Sequence, residues 1–246
     1  MTERLGDELH VWLCDVDQLR DARTLETLAS WLDPVETARW RRFLFERDRH
    51  LFLVAHALVR RTLSLYADVP PADWRYSVGP HGRPEIAAPI PAGELRFNLS
   101  HTRGLAAVLV HSGIDCGVDV EVRHRDVDYL AVSKRVFAAA EREAMLALPE
   151  AEQRERFFQY WTLKESYIKA RGMGLALPLE KFALGVEGPI RIDIDATLGD
   201  DPADWQFEMQ SPTPDHQLSL AARRGRDAEP RKVNVRWMDF AALVEP

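Results

Sequence analysis

Cysteine is almost absent from this sequence, which contains only Cys14 and Cys116 in 246 residues. The two thiols form no CxxC pair, and no histidine stands at metal-ligand spacing from them, so neither a disulfide framework nor a zinc site is indicated. No apolar stretch approaches the length of about 18 residues that a membrane-spanning helix needs, and the N-terminus lacks the basic and apolar segments of a signal peptide. We therefore expect a cytoplasmic protein that does not enter a membrane.

Positive charge is in deficit, because 32 Lys and Arg face 39 Asp and Glu for a formal net charge of -7. A general binder of nucleic acid or of an anionic membrane gains affinity from a net basic face. The charge balance therefore argues against both classes of partner. Only five residues are lysines, at positions 134, 164, 169, 181 and 232, so each lysine is a candidate for a specific role.

Apolar residues make up 46% of the chain, a composition typical of a folded globular protein, and the length allows one large domain or two small ones. Hydrophobic periodicity first predicts a strand at 8–16, helices at 19–32 and 48–65, and strands at 74–78, 95–99 and 105–111, with a loop over 79–93. A second series follows, with a strand at 117–122, helices at 139–148 and 152–171, and five short strands. We therefore predict an α+β fold with two similar halves, residues 1–111 and 112–246.

Two carboxylates stand two residues apart in the alternating strand 117–122. Asp119 and Glu121 therefore leave the same face of that strand, opposite to the valines between and around them. Carboxylate oxygens of this kind suit magnesium, which usually takes one or two carboxylates together with substrate phosphates. The alternative is an edge strand with a solvated acidic face.

The second long helix places a lysine inside its apolar stripe. At helical spacing Lys164 falls among Phe157, Trp161 and Ile168, so its ammonium group must reach a carboxylate, a carbonyl or a ligand phosphate. Glu165 flanks the stripe, and Lys169 lies one turn further on. The alternative is a surface ion pair between Glu165 and Lys169, with Lys164 extending its ammonium group to water.

Two further features are basic or polar groups in the first half. Ser100 and His101 fall in a predicted turn, SHTRG, where a hydroxyl, an imidazole and backbone N–H groups suit a phosphate better than a nucleophile and its base. The alternative is an ordinary polar turn without a ligand. Between positions 36 and 61 the sequence reverses its overall charge, either as a solvated helix face or as an anion-binding patch, with Arg60 and Arg61 placed away from the apolar face. The arginines of this stretch are Arg39, Arg41, Arg42, Arg47, Arg49, Arg60 and Arg61.

Three motifs together resemble the 4′-phosphopantetheinyl transferase superfamily, and within it the Sfp-type branch. They are FNLSH at 97–101, GVDVEV at 117–122 and WTLKESYIKARGMGL at 161–175. The stretch from Phe45 to Arg60 and the GRP loop at 82–84 are also similar to the family. Glu36 departs from it, because relatives often have a basic residue in this region. The resemblance implies two α/β halves in a pseudo-two-fold arrangement with coenzyme A held between them, the N-terminal half contacting its nucleotide end.

The reaction that the resemblance implies transfers 4′-phosphopantetheine from coenzyme A to a serine of an apo carrier protein and releases 3′,5′-ADP. It implies Mg²⁺ as the cofactor, with Glu165 or a metal-bound water as the base. The implied magnesium ligands are Asp119, Glu121 and Glu165, and the implied catalytic residues are Glu165 and Lys169. The implied coenzyme A contacts are Arg47, Arg83, Asn98, Ser100, His101, Asp119, Lys164 and Lys169.

The partner expected from the resemblance is a carrier domain of a peptide or polyketide synthetase or of a siderophore pathway, and the enzyme is expected to be a monomer. Two alternative functions use the same residues. One is a magnesium-dependent phosphohydrolase that needs no acceptor protein. The other is a binding module for coenzyme A or for a carrier protein that performs no catalysis.

Overall fold

The computed structural model describes residues 3–91, 94–226 and 228–240. The chain divides into two compact units. The first contains the described residues up to Gly113 together with those from Arg231 onward, and the second is Ile114–Pro230. The sequence predicted a boundary after residue 111 and a second half that continued to residue 246. The structure instead returns the last strand to the first unit, because that strand pairs in parallel with the first strand of the chain.

The helices and strands follow the predicted order with three additions. The helices are α1 (Ala22–Trp31), α2 (Pro34–Trp40), α3 (Glu46–Tyr66), α4 (Tyr129–Val136), α5 (Ala139–Leu146) and α6 (Glu150–Arg171). The strands are β1 (Leu9–Asp15), β2 (Arg75–Val78), β3 (Pro84–Ala88), β4 (Arg96–Thr102), β5 (Leu105–His111), β6 (Cys116–Val122), β7 (Phe182–Gly185), β8 (Arg191–Ile194), β9 (Trp205–Thr213), β10 (His216–Arg223) and β11 (Val233–Trp237). Helices α2 and α4 were not predicted, and β3 lies inside the predicted loop.

The first unit is built on a four-stranded sheet in the order β11-β1-β5-β4, in which β5 is antiparallel to both β1 and β4 and β11 is parallel to β1. Helix α3 packs across this sheet with the apolar face that its periodicity predicted. The core beneath it includes Phe52, Leu58, Trp74, Phe97 and Val108. Strands β2 and β3 form a separate two-stranded hairpin.

Arg60 departs from the prediction that it lies away from the buried face of α3. Its side chain is fully buried, and its guanidinium group donates to Glu36 (Nε to Oε2, 3.0 Å) and to the carbonyl oxygens of Pro71 (2.9 Å) and Trp74 (3.0 Å). Glu36 also closes the capping box that begins α2, opposite Asp33. Arg60 therefore joins α2 to α3 and is not part of an anion-binding patch.

The second unit repeats this plan with a three-stranded antiparallel sheet in the order β6-β10-β9 and a long helix, α6, packed on β6 and β10. Aromatic side chains dominate its core, among them Phe157, Phe158, Tyr167 and Phe182. The helix ends at Gly172, which takes a left-handed conformation with φ of 65°. Within the described ranges, no helix is both long enough and apolar enough to cross a membrane.

Gly117 sets how closely β6 approaches α6. A Cβ atom on this residue would lie 2.1 Å from the carbonyl oxygen of Ser166 and 2.5 Å from the backbone nitrogen of Ala170. Both are backbone atoms, which cannot move aside as the end of a flexible side chain can. One turn of helix earlier, the hydroxyl groups of Thr162 and Ser219 meet at 2.7 Å and hold α6 against β10. The face of β6 that carries Gly117 is therefore the face that meets α6.

We expect Gly117→Ala to lower the free energy of unfolding by about 2 kcal/mol or more, since the added methyl group forces apart the strand and the helix. Gly185→Ala is the matched control, because a Cβ atom at Gly185, also in a strand of this unit, would meet nothing within 4 Å. Urea denaturation of both variants measures the difference. Equal stability of the two variants would contradict the close contact.

Candidate functional site

The two strand carboxylates lie on the face of β6 that meets α6. Side chains alternate along a strand, so Asp119 and Glu121 share the face of Gly117. Lys169 in the last turn of α6 completes the contact, because its Nζ lies 2.7 Å from Oδ1 of Asp119 and donates to the carbonyl oxygen of Val118 at 3.1 Å. The Asp119 side chain is 7% exposed and that of Lys169 is 26% exposed, so this ion pair is largely shielded from water.

Glu165 lies one helical turn before Lys169 and shares its face of α6. The pKa of Glu165 is raised to about 7, chiefly by burial and also by the negative charges of Asp119 and Glu121, while the charge of Lys169 opposes the shift. The three carboxylates therefore interact with one another. A carboxyl group with a pKa near 7 can both accept and release a proton at neutral pH.

Two arginines border this cluster, Arg125 in the segment after β6 and Arg154 in α6. Arg125 forms an ion pair with Glu121 (Nη1 to Oε1, 2.8 Å), and its own carbonyl oxygen accepts a hydrogen bond from Arg154 of α6. Arg154 also donates to the carbonyl oxygen of Arg123 at 3.0 Å. The backbone that follows Glu121 is thus fastened to α6, which fixes the direction in which this strand leaves the site.

The carboxylates of Asp119, Glu121 and Glu165 have the chemistry of a magnesium site. Their oxygen atoms are the ligands that Mg²⁺ prefers, and their mutual repulsion is what a bound dication would relieve. Over the described part of the chain, however, no three His, Cys, Asp or Glu side chains are arranged as a ready-made metal site. Ion pairs with Lys169 and Arg125 engage two of the carboxylates in this arrangement. The donor set of the three carboxylates fits the ion.

Lys164 lies in the apolar interior of the second unit and not among these carboxylates. Its Nζ is 2.8 Å from Oε2 of Glu141 and donates to the carbonyl oxygens of Leu179 (2.8 Å) and Phe182 (2.7 Å). An ammonium group has three donors, and these three acceptors use them all. The assignment of Lys164 to a coenzyme A phosphate is therefore corrected: of the partners expected from its burial, it has reached a carboxylate and two carbonyls.

Glu141 was not identified from the sequence, although its side chain is almost fully buried. It accepts hydrogen bonds from the backbone nitrogen atoms of Ala138 and Leu184, each at 2.8 Å, in addition to its contact with Lys164. Burial raises the pKa of Glu141, and the charge of Lys164 opposes this shift. A glutamate in the first turn of a helix is a common capping signal, and nothing in its sequence position indicates a partner in α6.

The predicted turn residues of the first unit lie in a strand. Ser100 and His101 belong to β4 together with Asn98, which was predicted to lie in a strand. Because β4 continues to Thr102, the predicted turn SHTRG is shorter than expected. Asn98 and Ser100 are buried, whereas His101 is exposed on the opposite face. Adjacent side chains of a strand point to opposite faces, which excludes a direct pair between the serine and the histidine.

The two arginines assigned to the nucleotide end differ in their surroundings. Arg47 lies in the first turn of α3 with its side chain 80% exposed, 3.5 Å from Asp48 and with its guanidinium group 5.3 Å from the centre of the Phe45 ring. Arg83 precedes β3 and lines, with Arg96, a cavity of about 190 Å³ beside β3 and β4. Both arginines belong to the first unit, whereas the cluster on β6 and α6 belongs to the second.

Comparison with known proteins gives two family models that match this chain. Residues 115–221 match the 4′-phosphopantetheinyl transferase superfamily, and residues 21–112 match the family described as 4′-phosphopantetheinyl transferase, N-terminal. The 4′-phosphopantetheinyl transferase HetI of a Nostoc species is 34% identical over 70% of this chain and 72% of its own length. This chain belongs to the 4′-phosphopantetheinyl transferase superfamily. The expectation drawn from its three motifs is confirmed.

Other relatives of the transferase agree with this membership. The 4′-phosphopantetheinyl transferase Sfp of Bacillus subtilis is 28% identical over 80% of this chain and 84% of its own length. Among solved structures, the holo-[acyl-carrier-protein] synthase of Thermotoga maritima is 18% identical over 46% of this chain and 65% of its own, with a TM-score of 0.38. The two matched regions of the transferase lie in different structural units.

For the buried lysine of the transferase we expect Lys164→Met to lower the free energy of unfolding by about 3 kcal/mol or more, since it leaves the Glu141 carboxylate buried without its cation. Lys164→Met combined with Glu141→Gln should recover part of this loss. Lys181→Met is the control, because the Nζ of Lys181 is exposed and donates only to the hydroxyl group of Thr197 at 2.8 Å among the contacts described. A fully stable Lys164→Met protein with weakened coenzyme A binding would restore the phosphate assignment.

For Glu165 the raised pKa predicts a stability that depends on pH. The folded carboxyl group retains its proton up to a pKa of about 7, whereas the unfolded group loses it near 4.5, so the stability of the wild type falls as pH rises through this window. Glu165→Gln removes the titrating group. In EDTA we expect it to gain stability relative to the wild type between pH 5 and pH 8, by up to about 3 kcal/mol. Urea denaturation at both pH values checks this, and a difference independent of pH would contradict it.

Proposed function

We propose that this transferase moves the 4′-phosphopantetheine group of coenzyme A to a serine hydroxyl group of an apo carrier protein and releases 3′,5′-ADP. The observation that carries the proposal is the meeting of Glu165 and Lys169 of α6 with Asp119 of β6, inside the region that matches the superfamily model. The relatives named above, which are called 4′-phosphopantetheinyl transferases, support the reaction class.

The chemistry that these residues serve is a phosphoryl transfer. The serine oxygen forms a bond to the β-phosphorus of coenzyme A, the bond from this phosphorus to the oxygen of 3′,5′-ADP breaks, and the serine proton must go to a base. Glu165 is our candidate for the base, because a pKa of about 7 keeps part of this carboxylate unprotonated at neutral pH. Lys169 supplies positive charge beside it, which stabilises the charge that develops on the phosphate oxygens.

We assign magnesium to the carboxylates of Asp119, Glu121 and Glu165. The ion would supply positive charge that offsets the charge of the pyrophosphate. The support is the donor chemistry and the repulsion that raises the pKa of Glu165. Lys169 and Arg125, which pair with Asp119 and Glu121 here, would then be available to anionic groups of the substrate.

The coenzyme A contacts of the first unit are assigned to Arg47, Arg83, Asn98, Ser100 and His101. Their support is the match of residues 21–112 to the N-terminal family model, which includes all five.

A carrier domain of a peptide or polyketide synthetase, or one of a siderophore pathway, is the acceptor that we propose. A monomeric state and a cytoplasmic location stay predictions from the sequence.

The transfer is tested by incubating the protein with coenzyme A, Mg²⁺ and several apo carrier domains. We expect the carrier to gain the mass of one phosphopantetheine group per serine, with release of 3′,5′-ADP. A phosphohydrolase would release phosphate or phosphopantetheine without any carrier, and a binding module would retain coenzyme A unchanged. No mass gain on any of the carriers would refute the proposed function.

Variants of the two α6 residues test their roles in transfer. Glu165→Gln should lower kcat by a factor on the order of 100 or more with coenzyme A binding retained, because it removes the base. Lys169→Ala should raise the KM for coenzyme A and lower kcat, because it removes the charge that faces the phosphate. Steady-state kinetics measure both, with the exposed Lys181→Ala as the control.

Chelation by EDTA should abolish transfer and Mg²⁺ should restore it; full activity in EDTA would remove the metal assignment.

A further inference from the structure

A further buried carboxylate, that of Asp200, lies against the end of α6 on the side away from the cluster described above. Its side chain is 2% exposed and belongs to the segment between β8 and β9. Oδ2 accepts hydrogen bonds from the hydroxyl group of Tyr167 (2.7 Å), from Nη1 of Arg171 (2.6 Å) and from Nε1 of Trp205 (2.9 Å). Oδ1 accepts one from Nη2 of Arg223 at 3.0 Å. One carboxylate thus connects α6, β9 and β10.

Asp200 binds Tyr167 and Arg171 of α6, which alternate along the sequence with Glu165 and Lys169. Tyr167 and Arg171 are four residues apart and share a face of the helix, as Glu165 and Lys169 share another. At 100° per residue, Lys169 points about 160° away from both Tyr167 and Arg171. The last two turns of α6 are therefore held from opposite sides, by Asp200 on one side and by β6 on the other.

The Arg223 contact connects Asp200 to the start of β6. The backbone nitrogen of Arg223 donates to the carbonyl oxygen of Asp115 at 2.8 Å, and the next residue pair in the register joins Ala222 to Cys116. Gly117, where β6 meets the backbone of α6, follows directly. The network around Asp200 thus fixes the end of the helix relative to the strand that carries Asp119.

We propose that Asp200 is a positioning residue for the transfer reaction, which acts by holding the last turns of α6 so that Lys169 lies against Asp119. The ends of helices fray easily, and Lys169 is only two residues from the end of this one. The hydrogen bonds from Tyr167 and Arg171 oppose this fraying on the face that β6 does not contact. The role in the reaction rests on the proposed function, whereas the restraint on the helix does not.

The kinetic test is a double-mutant cycle between Asp200→Asn and Lys169→Ala. Asparagine keeps the shape of the side chain but removes the charge that binds Arg171 and Arg223. If Asp200 acts through Lys169, Asp200→Asn lowers kcat/KM for coenzyme A roughly tenfold or more in the wild-type background. In the Lys169→Ala background it then lowers kcat/KM by no more than about twofold. An equal loss in both backgrounds, or no loss in the wild type, overturns the proposal.

A matched control and a milder variant accompany the cycle. Asp201→Asn makes the same change one residue further on, at a carboxylate that pairs with Arg226 and caps the turn at Ala203. It should leave kcat/KM unchanged. Tyr167→Phe removes a single donor to Asp200 and should produce a smaller loss with the same dependence on Lys169, which keeps the proposal testable if Asp200→Asn does not fold.

Hydrogen exchange of the intact protein provides a readout that does not depend on activity. We expect the backbone amides of residues 167–172 to exchange faster in Asp200→Asn than in the wild type, and those of Asp201→Asn to exchange at the wild-type rate. If the wild type transfers nothing, the proposed function fails and the exchange experiment alone decides about the restraint. Unchanged exchange at 167–172 in Asp200→Asn overturns the proposal in either case.

Discussion

The close approach of β6 to α6 is the constraint on which the site of this transferase depends. It requires a residue without a Cβ atom at Gly117, because backbone atoms of Ser166 and Ala170 occupy the space that a Cβ atom would need. Once the two elements are in contact, alternation along the strand and the four-residue repeat of the helix decide which side chains face each other. Asp119 of the strand meets Lys169 of the helix as a geometric consequence.

Two lysines of α6, five residues apart, show what the sequence alone could not decide. Both belong to the family motif and both were expected to contact phosphate. Lys164 faces the interior, where Glu141 and two carbonyl oxygens take its three donors, and Lys169 faces the strand carboxylates. Their environments come from segments distant in the chain, α5 and β7 for one and β6 for the other. Helical periodicity places a lysine on one face of the helix but does not predict which other segments of the chain pack against that face.

The fold itself was predictable where one signal repeats over many residues. The long apolar periods of α3 and α6 and the alternation of β6 gave the right elements, because a buried face imposes a pattern along the whole element. The helices α2 and α4 and the strand β3 each have a single buried residue, so none of them carries a repeated apolar pattern. Arg60 was misplaced because a fully buried guanidinium group is uncommon, and its partner Glu36 lies in a helix that was not predicted.

The electrostatics of the site follow from the same packing. Bringing Asp119, Glu121 and Glu165 together, partly out of water, is unfavourable, and the raised pKa of Glu165 expresses this cost as a carboxyl group that holds its proton. Lys169 and Arg125 offset part of the repulsion and allow the carboxylates to stay close in the folded chain. Because the fold holds these groups together at the expense of stability, a proton or a cation taken up by the cluster would recover part of that free energy. The property that weakens the fold at neutral pH is therefore the property that makes this cluster able to take up a proton or a cation.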